Sequence, residues 1–226
     1  MNKENTLVAF AGAHKLGYKY CETDVILAAS GELVAIHGSA NWLQAGFKRD
    51  ITRGTLQKMS LEQIRYMIRP GSMQVPTLEE VFSAFPKMNF VLDLKTDEAA
   101  VPLAELLVRL KLTERVCVTG FSYRRLKVFL EACGQYPVSV GLTLGRGLRF
   151  TNINMLMVKS GRLQGIDAVS MHHSLVSAPM VSLIHSKGLK ALVWTCNSRL
   201  SIKHALRSGA DGVMSDRIDL LRDIAA

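Results

Sequence analysis

No stretch of this 226-residue chain reaches the roughly 18 consecutive apolar residues that a membrane-crossing helix needs. No basic segment leads into an apolar one at the amino end. Met1-Asn2-Lys3-Glu4 runs straight into an amphipathic helical pattern, so no secretory signal is expected. The four cysteines, Cys21, Cys117, Cys133 and Cys196, are far apart and form no CxxC pair. No Cys or His pair has zinc-site spacing, which argues against structural zinc. Buried free thiols in a reducing, cytoplasmic setting are expected instead. Internal repeats and low-complexity tracts are absent. Basic residues are not interleaved with aromatics, so specific nucleic-acid binding is not expected despite a net charge of +9. That charge suits a general attraction for phosphorylated small molecules.

What is present is an ordinary globular composition, 48% hydrophobic and 21% charged, of a size for a single domain over 1–226. After residue 86, short β-rich runs recur at Phe90-Val91-Leu92, Val116-Cys117-Val118, Val138-Ser139-Val140, Ala168-Val169-Ser170, Ala191 to Trp194 and Gly212-Val213-Met214. Most are separated by stretches with helical spacing of apolar residues, at Val101–Leu110, Tyr123–Leu130, Pro179–His185 and Leu200–Leu206. Ser122 is a candidate N-cap, and Gly188 and Gly209 fit left-handed helix ends. The alternation predicts a parallel sheet. Earlier strands are expected at Tyr18–Asp24 and, after the turn Ser30-Gly31, at Val34–His37. With about seven principal strands, the pattern fits a TIM-type (β/α)8 barrel. A helix from about Glu4 has no strand ahead of it, so the first barrel strand is expected to be lacking. Residues 38–76 are polar and turn-rich. They read as a small insertion after the second strand, with a helix at Leu61–Ile68.

Four strand ends carry the chemistry. In Glu22-Thr23-Asp24, residues i and i+2 share a strand face, so two carboxylates project together. Such a pair either holds a divalent cation, Mg²⁺ or Ca²⁺, or forms an exposed acidic strand end paired with lysines. Asp93-Leu94-Lys95 repeats the spacing with mixed charge. Asp93 is a candidate third ligand and Lys95 a candidate phosphate contact, or the two form a plain ion pair. His37 ends an apolar run and is a candidate general acid or base, against a structural role. Trp194 either walls a pocket or packs in the core. One of His172 and His173 is placed to reach the same end of the sheet. These positions converge on the carboxyl face of a parallel barrel, where active sites of that architecture lie.

The order of the pieces resembles the glycerophosphodiester phosphodiesterase family. The resemblance is carried by Glu4-Asn5-Thr6 with Ala9-Phe10, Glu22-Thr23-Asp24, His37, Pro76-Thr77-Leu78-Glu79-Glu80, Asp93-Leu94-Lys95, Phe121-Ser122, Trp194-Thr195-Cys196-Asn197 and Gly209 to Arg217. It spans nearly the whole chain. It implies metal-dependent hydrolysis of glycerophosphodiesters to an alcohol and glycerol 3-phosphate, in lipid and glycerol metabolism. Glu22, Asp24 and Asp93 would hold the metal, His37 would be one of two acid–base histidines, Lys95 would bind phosphate and Trp194 would line the glycerol pocket. Three departures stand out. The family's opening His-Arg-Gly has no counterpart, the Asp after the second His is Gly38, and the Glu of Glu-x-Lys is Asp93. They raise the alternative of a catalytically inactive metal- or phosphodiester-binding relative. A strand edge left open beside Tyr18–Asp24 would also favour self-association.

Overall fold

Strands buried on both faces need near-continuous apolar runs, and the chain supplies them where the sheet forms. The computed structural model describes residues 4–37, 53–67, 74–145 and 148–225. It divides into two units, residues 1–116 and 117–226.

The first unit begins with α1 (Leu7–Lys15), followed by β1 (Tyr20–Leu27) and β2 (Leu33–Ala35). Next come α2 (Arg53–Leu56), α3 (Leu61–Met67), α4 (Leu78–Ala84), β3 (Asn89–Leu94) and α5 (Ala100–Arg109). β1 and β3 pair in parallel, with Asp24 beside Asp93. β2 runs antiparallel to β1, with Val25 beside Ala35. It is therefore the return arm of a hairpin and not a barrel strand. It pairs with Val25 to Leu27, beyond the Tyr18–Asp24 stretch whose edge was expected to be open.

Thr6 caps α1 by accepting from the Ala9 N–H at 3.2 Å. Phe10 locks the helix onto the sheet through edge-to-face contacts with Phe85 and Phe90. Thr77 and Glu80 cap α4 reciprocally. The expected insertion is partly described. Leu56 and Ile64 are fully buried with Ile26, Val34, Ile36 and Val75, so α2 and α3 have their own core against the hairpin. Gly38, Gly46, Ile68 and Pro70-Gly71 lie outside the described residues.

The second unit is more regular. From the boundary it holds β4 (Val116–Gly120), α6 (Tyr123–Cys133), β5 (Ser139–Leu144), α7 (Leu148–Ser160) and β6 (Ala168–His172). It continues with α8 (Ala178–His185), β7 (Lys190–Trp194), α9 (Arg199–Arg207), β8 (Gly212–Val213) and α10 (Ile218–Ala225). Each strand from β4 to β8 pairs in parallel with the next. Ser122 caps α6 as expected, and Gly188 and Gly209 adopt φ of 72° and 87° after their helices. No helix among the described residues is long and apolar enough to cross a membrane.

Candidate metal centre

β1 carries Glu22 and Asp24 on one face, and its parallel register sets Asp24 directly beside Asp93 on β3. Like charges placed side by side on neighbouring strands repel unless a cation compensates them. Ligand oxygens of Glu22, Asp24 and Asp93 lie within 4.8 Å of one another. Glu22 is exposed, whereas Asp24 and Asp93 are each 7% exposed. Lys95 lies two residues beyond Asp93 and so on the same strand face. Its Nζ is 2.5 Å from Asp24 Oδ1 and also pairs with Asp93. Burial alone would lower the Lys95 pKa. The charges of Asp93, Asp24 and Glu22 outweigh that and hold it above the ordinary lysine value. Three carboxylates against one ammonium still leave an excess of negative charge. An all-oxygen donor set with that charge fits a hard divalent cation.

Asn5 also reaches this cluster. Its Oδ1 accepts from the Asp24 N–H at 3.1 Å and from Thr23 Oγ1 at 2.5 Å, and its Nδ2 donates to Asp24 Oδ2 at 3.1 Å. In the sequence Asn5 stands only as part of the Glu4-Asn5-Thr6 motif. The one signal available was an asparagine just ahead of a helix cap. His37 follows the hairpin arm, and its neighbour Ile36 donates to the Asp24 carbonyl at 3.1 Å. The chain thus delivers His37 alongside the segment that bears Glu22 and Asp24. A surface hollow of about 260 Å³ in this unit, lined by Gly31, Glu32, Thr77, Glu105 and Arg109 among others, includes none of these residues. Charge and register, not concavity, mark the centre.

Trp194 belongs to the second unit, at the end of β7. Its ring meets Phe121 at 6.0 Å and His172 at 5.3 Å, both edge to face. His172 in turn lies 4.2 Å from His173. An aromatic cluster therefore caps the carboxyl ends of β4, β6 and β7. Phe121 reaches it across Gly145, where an added Cβ would fall 2.7 Å from the Phe121 ring. The buried indole N–H of Trp194 has no hydrogen-bond partner among the described residues. Nearby, Asn197 Oδ1 accepts from the Asp216 N–H at 2.9 Å, and its Nδ2 donates to Asp216 Oδ2 at 2.7 Å.

Burial disfavours the thiolate form at all four cysteines. Burial raises the pKa of Cys21, Cys133 and Cys196 to about 11 and of Cys117 to about 12. All four cysteines are free.

Residues 1–220 match the Glycerophosphoryl diester phosphodiesterase family. "Probable glycerophosphodiester phosphodiesterase 2" of Mycobacterium tuberculosis is 27% identical over 97% of this chain and 84% of its own length. The glycerophosphodiester phosphodiesterase of Thermotoga maritima has a similar fold, with a TM-score of 0.75 at 21% identity over 98% of this chain and 92% of that one. A phosphodiesterase of Oleispira antarctica, solved with its product sn-glycerol-3-phosphate, gives a TM-score of 0.73 at 20% identity over 99% and 92%. The strand–helix order in both units is that of the TIM-type barrels of these relatives. With a match across nearly all of its length, the chain belongs to the glycerophosphoryl diester phosphodiesterase family.

Proposed function

We propose that this enzyme hydrolyses glycerophosphodiesters to an alcohol and glycerol 3-phosphate, with Glu22, Asp24 and Asp93 holding Mg²⁺ or Ca²⁺. The observation that carries the reading is the convergence of three carboxylates and Lys95 on one strand face. Bound there, a divalent ion would neutralise charge that develops on the phosphoryl oxygens. Asp93 is one methylene shorter than the family's glutamate, which the forgiving coordination of Ca²⁺ accommodates.

The protein's own residues do the rest. Lys95 supplies a second positive charge to a phosphate oxygen, because it is held protonated within the cluster. His37 acts as general acid or base, moving a proton between an imidazole nitrogen and the substrate oxygen. Trp194 gives the glycerol moiety an apolar wall. A second copy of the chain could add along the β1 edge not covered by β2, where Tyr20 is 65% exposed. Sizing chromatography reads that point.

The test is release of glycerol 3-phosphate from glycerophosphocholine in the presence of Mg²⁺ or Ca²⁺. Metal-dependent release, lost on chelation, is expected. Metal binding without turnover would instead assign the chain to the inactive, ligand-binding reading.

A further inference from the structure

Asn5 lies outside β1 and β3, and its side chain makes three hydrogen bonds to the Thr23-Asp24 segment. Its backbone has φ of 57°, in the left-handed region that asparagine visits more readily than most residues. The fold imposes that conformation. Thr6 must cap α1, and Phe10 fixes α1 between Phe85 and Phe90, so the residue ahead of the cap is set from both sides. A left-handed turn at position 5 directs the carboxamide across to β1. There it treats the two oxygens of Asp24 differently. Oδ2 is tied to Asn5 Nδ2, while Oδ1 faces Lys95.

We infer that Asn5 is a positioning residue: its carboxamide fixes the Asp24 carboxylate so that Oδ1 is presented to the cation site and Oδ2 is held away from it. This rests on the metal reading proposed above. Partners that orient a ligating carboxylate are worth about 10–100-fold in metal affinity. The carboxamide is suited to the task because one face accepts from the backbone and the other donates to the side chain. Thr23 braces the arrangement from below by donating its hydroxyl to Asn5 Oδ1.

The informative substitution is Asn5→Gly, which deletes the carboxamide but tolerates the left-handed backbone. Calorimetric titration with Ca²⁺ and with Mg²⁺ should give dissociation constants about 10–100-fold above those of the unaltered protein. Asp24→Asn should weaken binding further. Combining it with Asn5→Gly should add no more than about threefold, because Asn5 acts through Asp24. A purely structural role would lower melting temperature without this overlap, and fully multiplying effects would overturn the inference. If Asn5→Gly does not fold, Thr23→Val decides. It removes the brace while leaving the Asp24 donors, and a severalfold loss of affinity is expected. An unchanged affinity would overturn the inference. Failure of the underlying metal reading looks different: the unaltered protein would then bind neither ion, or Asp24→Ala would bind as well as it does. If those controls behave and Asn5→Gly still binds normally, only the positioning role is lost.

Discussion

In the first unit Asn5 reaches across to Thr23-Asp24, and in the second Asn197 reaches across to Ser215-Asp216. Both side chains accept from the aspartate N–H, donate to aspartate Oδ2 and accept from the hydroxyl of the preceding residue. The local solution is the same, but the surroundings differ. Asp24 is buried beside Asp93, with Lys95 between them. Asp216 is exposed, and among the described residues it joins no ion pair and no carboxylate cluster. An asparagine clamp pins an aspartate near a strand end. On the proposed reading, charge gathered by register is what would make such an aspartate a cation ligand. The clamp alone would not.

Five experiments probe that contrast. His37→Ala should lower kcat by about 10²–10⁴-fold while leaving metal affinity intact, whereas His172→Ala in the second unit should cost far less. Equal losses would erase the distinction between the units. Lys95→Ala removes the ammonium between Asp24 and Asp93 and should cost about 3–5 kcal/mol of stability without divalent ions. Added Ca²⁺ should restore part of it, as denaturant titrations would show.

Asp24→Ala should abolish thermal stabilisation by Ca²⁺ or Mg²⁺, about 2.7 kcal/mol at a hundredfold excess over the dissociation constant. Asp216→Ala should keep it. A retained shift in Asp24→Ala would remove Asp24 from the site. Asn197→Ala should cost about 1 kcal/mol of unfolding free energy and change metal affinity less than Asn5→Gly does. A larger effect on affinity would mean that the two clamps serve one site.

The smallest effect concerns pH. Burial alone would raise the pKa values of Glu80 and Asp211. The N–H of Thr77 with Arg65, and the N–H of Ala191 with His185 and Lys190, outweigh it and hold both carboxyls below their ordinary values. A lowered folded-state pKa adds stability above the unfolded pKa, near 4, and that stability is lost as pH falls through the folded value. Glu80→Gln and Asp211→Asn should each flatten the acid side of a stability profile slightly, since both side chains are partly solvated. An unaltered profile would show that these contacts are screened out.

Much of the arrangement was legible beforehand because it rests on short periods. The two-residue repeat of a strand placed Glu22 with Asp24 and Asp93 with Lys95, and strand–helix alternation gave the barrel class. Other elements were missed. α4, α7 and α10 went unassigned, and β1 runs on to Leu27, beyond its expected end at Asp24. The antiparallel sense of β2 was also invisible, because a three-residue apolar run looks alike in either direction. For Lys95 the sequence leaves both a phosphate contact and an ion pair with Asp93 open. The structure adds that it bridges Asp24 and Asp93, which depends on the pairing of two strands some seventy residues apart in sequence. Phe121 stands in the sequence only as part of a motif, and its place beside Trp194 brings its ring so close to Gly145 that an added Cβ there would crowd it.

The amino-acid sequence by itself determined which residues could act and on which face of its own strand each would lie, since backbone geometry fixes that within two residues. Only the tertiary structure decided their company. The register of β1 on β3 set two carboxylates side by side around one lysine, and the packing of α1 brought Asn5 across nineteen positions to hold Asp24. Those contacts arise from burial and strand pairing between distant segments, and no local spacing encodes them.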